Sequence, residues 1–143
     1  KRAKHCSDAS SEVCIKNYMG KTKPVPKDVT FVGIHPNVVE ICKDAFQHCH
    51  KLKNVVLHEG LVTIRKNAFL GCKSLTSITL PSTLIEIADS AFRECSNLEE
   101  VVLNDSLQKI GDKAFSKCIS LKSIRLPPTL TELGYYVFSD CRS

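Results

Sequence analysis

AFRECSNLEEVVL, residues 91–103, is one copy of a unit that recurs along most of the chain. Ala-Phe stands at 45–46, 68–69, 91–92 and 114–115, and Val137-Phe138 holds the same place once more. Three residues after each pair comes a cysteine: Cys49, Cys72, Cys95, Cys118 and Cys141. Leu52, Leu75, Leu98 and Leu121 follow, then Val55, Ile78, Val101 and Ile124, and Leu57, Leu80, Leu103 and Leu126 close the run. Every step is 23 residues, without insertion or deletion.

Five of the six phenylalanines and five of the eight cysteines lie in these two columns, and the physical reason is stacking. One such unit cannot bury its own apolar face, but successive units bury it against each other in a continuous core. Equivalent residues then sit one strand spacing apart, about 4.8 Å, so that Phe meets Phe and Cys meets Cys. The [VI]-x-L piece alternates and is rich in β-branched residues, which reads as a short strand of a parallel ladder. Glu86 to Phe92 reads as a short helix or 3₁₀ turn on the opposite side. The fold class expected is therefore α/β: a leucine-rich repeat solenoid, with a short parallel β-ladder on one face and short helices or 3₁₀ turns on the other.

The 143 residues are 43% apolar and carry a formal charge of +5, enough for one domain with a core. No stretch reaches the roughly 18 apolar residues of a membrane span, and no signal-peptide pattern opens the chain. Lys1 and the end in mid-unit at Ser143 read as a fragment of something longer. The repeat accounts for five cysteines as buried core thiols. Reduced thiols favour an intracellular location, with an extracellular or surface location as the alternative. Cys6 and Cys14 lie outside the column and are candidates for a pair in an oxidising compartment.

Residues 1–27 form an N-terminal non-repeat cap and basic linker; residues 28–143 form the solenoid. In the first part Ser7-Asp8 is placed to cap a short helix through about Tyr18, and the cationic stretch 21–27 is broken by proline. In the second, residues 28–36 supply the strand half of a degenerate first repeat, since Val29, Val32 and Ile34 precede Leu52, Val55 and Leu57 by 23 residues. Four full repeats and a partial last one follow. That last one replaces the usual polar pair with Tyr135-Tyr136.

The pattern L-x-x-I-x-x-x-A-F-x-x-C-x-x-L-x-x-[VI]-x-L resembles the BspA-type leucine-rich repeats. It runs here as Leu84, Ile87, Ala91, Phe92, Cys95, Leu98, Val101 and Leu103, and again from Leu107 to Leu126. The Ile-Gly frequent in that family survives only at Ile110-Gly111 and, loosely, Leu133-Gly134. The resemblance implies protein or ligand binding without catalysis, and its matching residues belong to the core.

The residues alternating with the inward ones project from the strand face and are the candidate partner-binding set: Asn54, Val56, His58, Ser77, Thr79, Glu100, Val102, Asn104, Ser123 and Arg125. Phe31, Gly33 and His35 extend the same columns. The ends offer a second set, the basic Lys1, Arg2 and Lys4 and the tyrosines Tyr135 and Tyr136. Cys42, His48, Cys49 and His50 cluster in sequence but lack a C-x-x-C pair, and His48 and His50 occupy ordinary exposed positions, so no metal and no cofactor is expected. Nothing matches a P-loop, a dinucleotide fingerprint or a zinc-protease helix, and a solid repeat core gives no pocket for a nucleophile and base. Basic residues are scattered among acids with few aromatics on the strand face, which argues against nucleic acid. The reading is a non-catalytic protein-interaction or scaffolding module within a larger protein or assembly. Its alternatives are a spacer or assembly subunit held through its ends, or a cell-surface adhesion module. Partner identity and oligomeric state are not legible.

Overall fold

The structure, a computed structural model, describes residues 14–20 and 25–142. Among them are β1 (Cys14–Tyr18), β2 (Phe31–Ile34), β3 (Glu40–Ile41), β4 (Asn54–Val56), β5 (Thr63–Ile64), β6 (Ser77–Thr79), β7 (Glu86–Ile87), β8 (Glu100–Val102), β9 (Lys109–Ile110) and β10 (Glu132–Leu133). All pair in parallel. Each 23-residue rung crosses the strand face once, turns at a corner, and makes a two-residue strand on a second side. There β3, β5, β7, β9 and β10 form one continuous ladder. The strand face holds β1-β2-β4 and, separately, β6-β8.

The third side corrects the sequence reading. Among the described residues there is no helix and no 3₁₀ turn, and residues 86–92 contribute β7 followed by turns. The reason is two left-handed residues in every rung: Asp44 and His48, Asn67 and Gly71, Ser90 and Glu94, Lys113 and Lys117, Tyr136 and Asp140, all with φ between 57° and 75°. A right-handed helix cannot propagate through that region of backbone space. Alternate amides instead split their duties. Ala68, Leu70 and Cys72 donate locally, to Arg65, Asn67 and Phe69. Asn67, Phe69 and Gly71 donate across to the next rung, to the carbonyls of Asp89, Ala91 and Arg93 at 2.8–3.1 Å. The same alternation returns one rung later at Ser90, Phe92 and Glu94. Stacked turns thus become a third ladder, which satisfies the backbone as a helix would.

Inside, Phe46, Phe69, Phe92, Phe115 and Phe138 stack with centroids 5.2–5.9 Å apart and planes within 13° of parallel. The cysteine column has a bonding role that its small size alone does not explain. After Cys49, each thiol donates to the phenylalanine carbonyl of the rung before: Cys72 to Phe46, Cys95 to Phe69, Cys118 to Phe92 and Cys141 to Phe115, all at 3.2 Å. Those carbonyls already accept the amide of the cysteine in their own rung, as Phe69 does from Cys72, so the thiol fills a second lone pair. Burial pushes these thiols up, Cys118 to about 12, with Cys72 and Cys95 shifted in the same sense for the same cause.

At the N-terminal end the described part of the expected helix is strand β1, laid parallel on β2. Its Tyr18 is buried and tilts at 58° onto Phe46, centroids 4.8 Å apart, which closes the aromatic stack. Burial and the neighbouring Cys42 push the Tyr18 hydroxyl up to about 12. Cys42, Cys49, Cys72, Cys95, Cys118 and Cys141 are free thiols. Cys14 is disulfide-bonded; Cys6, the candidate partner in sequence, lies outside the described residues, as do Lys1, Arg2 and Lys4.

Candidate functional site

The strand-face candidates are mostly where alternation places them. Asn54, Val56, His58, Ser77, Thr79, Glu100, Val102, Ser123 and Arg125 are exposed, while Ile78 and Val101 between them are buried. Val56 and Val102 are 42% and 45% exposed, large for valines on a folded surface. Asn104 departs from the set. It is 9% exposed, and its Nδ2 donates to Ser82 O at 3.2 Å and Leu84 O at 2.8 Å. Asparagine here reaches back one rung to hold the corner. Phe31 and Gly33 are buried too, because β1 lies beside β2.

The face is not a uniform sheet. β2 runs in register with β4, and β6 with β8, where the Leu80 amide also donates to Val102 O at 3.1 Å. Beyond β8 the next rung keeps one bridge, Glu100 to Ser123, and then diverges. The opening is a cleft of about 460 Å³. Its walls are Glu100, Val102 and Asp105 on one side and Ser123, Arg125 and Pro127 on the other. A smaller opening of about 340 Å³ separates β4 from β6. Among the described residues the side chains of Asp105 and Arg125 enter no ion pair. Elsewhere charges are matched across rungs: Arg65 forks onto Glu40 at 2.9 and 3.0 Å, Lys109 meets Glu86 at 3.3 Å, and Lys122 meets Glu99 at 2.6 Å. Such exposed pairs contribute little to stability. They engage Arg65, Lys109 and Lys122, a few of the basic residues that the composition made conspicuous.

The C-terminal tyrosines stand free of the core, Tyr135 at 77% and Tyr136 at 70% exposure, beside the exposed Leu133 of β10. The Cys42, His48, Cys49, His50 cluster does not converge on one point. Cys49 is buried with its thiol toward Pro26 O, Cys42 donates to Gly20 O at 3.0 Å, and His50 Nδ1 lies 3.1 Å from Gly71 O. Among the described residues no group of three or more His, Cys, Asp and Glu is arranged to hold a metal, and no helix is long and apolar enough to cross a membrane.

Sequence reasoning missed two things. The closing role of Tyr18 had no periodic signal, since it lies 28 residues before Phe46 and off the 23-residue lattice. The clefts depend on where neighbouring strands part, which a column of side chains does not encode.

Comparison with known proteins agrees with this geometry. The family model for the BspA type leucine rich repeat region matches residues 26–143 in six copies. The chain is similar in structure to the leucine-rich repeat protein of T. pallidum, at 34% identity and a TM-score of 0.78 over 92% of this chain. A leucine-rich repeat protein of Bacteroides ovatus matches at 31% identity and 0.59 over 80%. A leucine-rich cell surface protein of Faecalibacterium prausnitzii matches at 28% and 0.61 over 79%. The chain spans 60% of the first of these and 36% and 37% of the other two. No curated protein matches. Columns, rungs and family model coincide: this is a repeat solenoid, and the chain belongs to the BspA-type leucine-rich repeat family.

Proposed function

We propose that the chain is a protein-binding module whose strand face reads the partner, with the cleft between β8 and residues 123–128 as the main anchor. The observation that carries this is convergence. Glu100, Val102, Ser123 and Arg125, singled out by alternation, line one concave opening that also holds the unpaired Asp105. Exposed apolar surface rimmed by charge is what a rigid surface offers a protein partner. Nucleic acid is disfavoured, because two carboxylates line the cleft and several lysines already face acids. The free thiols of the column are weakly consistent with a reducing compartment, whereas the disulfide-bonded Cys14 fits an oxidising one. The cell-surface character of the F. prausnitzii relative supports the alternative, a surface location.

The test compares retention of binding partners by two variants in a pull-down from the native source. Val56, Thr79, Val102 and Arg125 changed together should abolish association while the melting transition is kept. Loss instead on removing residues 1–24, or on altering Tyr135 and Tyr136, would overturn the strand-face reading in favour of a spacer held through its ends.

A further inference from the structure

The two openings on the strand face are the same opening made twice. Eight wall positions of the smaller cleft recur in the larger one 46 residues on, two rungs away. Val56 becomes Val102, Glu59 becomes Asp105, and Pro81 becomes Pro127. Within the 23-residue period there is therefore a second one. Rungs ending Val-Val-Leu (residues 55–57 and 101–103) alternate with rungs ending Leu-Pro (80–81 and 126–127). The ladder closes between β6 and β8 but opens after β4 and after β8, each time ahead of a Leu-Pro rung. Among the described residues the Leu57 and Leu103 amides make no hydrogen bond to the next rung, although the Leu80 amide does.

Two equivalent seats lie two rungs apart, at least the roughly 10 Å that two paired strand steps would give. A linear polypeptide crossing the rungs fits them only where same-face side chains recur at that distance. An extended strand fails, because residues three apart point to opposite faces. An α-helix offers positions seven apart at about 10.5 Å, but its backbone groups are already paired. A polyproline-II chain has three residues per turn at about 3.1 Å each, which returns a side chain to the same face after about 9.3 Å. Its own N–H and C=O groups are unpaired and can meet the open edges at Leu57 and Leu103. The seats differ in charge. In the first, Ser82 donates to the Glu59 carboxylate through Oγ at 2.6 Å and N at 3.2 Å, which holds it below the usual carboxylate range. In the second, Pro128 replaces that serine, so among the described residues the Asp105 side chain has no such donor, and Glu100 and Asp105 line the cleft with Arg125 as its one basic wall residue.

We infer that the two clefts form one reader for a polyproline-II segment, with apolar side chains three residues apart seated on Val56 and Val102 and a basic residue beside the second anchor, facing Glu100 and Asp105. This rests on the strand-face reading above. The probes are fluorescein-labelled synthetic peptides in a proline-rich frame: valine anchors three apart with a flanking arginine, the same with anchors two or four apart, one with a single anchor, one without arginine, and a helical peptide with anchors seven apart. Anisotropy titrations on the wild-type chain should show the matched peptide binding on the order of 10-fold or more tighter than the single-anchor and spacing-shifted ones. Val56→Ser or Val102→Ser should bring it down to the single-anchor value, and Asp105→Asn should weaken only peptides carrying arginine. These residues are exposed, and an unchanged melting temperature confirms the fold. Affinity independent of spacing, no binding by the matched peptide, or preference for the helical peptide overturns the inference. If those results come while the quadruple variant still loses its pulled-down partner, the strand face stands and only the polyproline-II assignment fails.

Discussion

The side of the solenoid that carries the phenylalanine and cysteine columns and the face that carries the strands are built from the same rungs, yet one is closed and the other is not. On the first, the described rungs repeat their neighbours' bonds: ring on ring, thiol to carbonyl, and amides across at Asn67, Phe69 and Gly71. On the second, pairing holds between β2 and β4 and between β6 and β8, then lapses. The difference teaches that a repeat protein can place its rigidity and its recognition in separate columns of one sequence. Stability is fixed where the 23-residue period is obeyed most strictly, and openings arise where a longer period is laid over it.

The largest expected effect lies in the closed side. Phe92→Ala removes a fully buried ring from mid-stack, between Phe69 and Phe115, and should cost about 3–5 kcal/mol in urea unfolding. A loss well under about 1 kcal/mol would mean that the rungs do not depend on the stack.

Gly111 tests how closely the rungs approach. A Cβ there would meet Asp89 N at 2.6 Å and Ala88 C at 2.8 Å, backbone atoms that cannot swing away. The two glycines of this column, Gly111 and Gly134, each sit above a rung whose aspartate accepts the next amide: Asp89 from Asp112 N at 2.9 Å, and Asp112 from Tyr135 N at 2.8 Å. Where the same column holds Arg65 or Ala88, no such aspartate lies beneath. Gly111→Ala should therefore destabilise by about 1–3 kcal/mol, and Asp89→Ala beside it should recover part of the loss. If Gly111→Ala is neutral, the close approach is not a constraint.

The thiol column makes a smaller and pH-dependent prediction. Cys95→Ala leaves the Phe69 carbonyl with one donor instead of two and should cost about 1–2 kcal/mol. The buried thiols release their protons less readily folded than unfolded, where cysteine titrates near about 8.5. The unfolded chain then loses protons first as pH rises. Stability is therefore full below about 8.5 and falls from there, toward the value of about 12 that burial sets for Cys118. Urea midpoints between neutral and alkaline pH check the sign, and Cys95→Ala should flatten the slope. Cys72, Cys95 and Cys118 should also resist alkylation until the chain unfolds.

How much of this the sequence carries depends on whether the information repeats. The Phe and Cys columns, the strand positions and the exposed alternation at Val56, Thr79 and Val102 are legible because each is written several times at one spacing. The third side misleads because Glu86 to Phe92 has an acceptable helix composition. The signal that overrules it is conformational: two left-handed residues per rung, one inside that stretch at Ser90 (its column Asp44, Asn67, Lys113 and Tyr136) and one just after it at Glu94 (its column His48, Gly71, Lys117 and Asp140), and among these ten only Gly71 is a glycine that announces the role. Asn104 reads as a face residue because alternation alone cannot see a side chain turning back to Ser82 and Leu84.

The smallest effect on stability is expected at the valines of the open face, and it is the one that separates the two regions most sharply. Val56 and Val102 are nearly half exposed and border gaps, so Val56→Ser with Val102→Ser should shift unfolding by no more than about 0.5 kcal/mol. The inward column behaves differently. Ile78, on the same strand line as Val55 and Val101, is 2% exposed, and Ile78→Ser would bury a hydroxyl and leave a void. A double valine variant that unfolds as readily as Ile78→Ser would show that the open face is structural after all. One that keeps its melting temperature and loses its partner would show that the chain can be stripped of recognition without touching what holds it together.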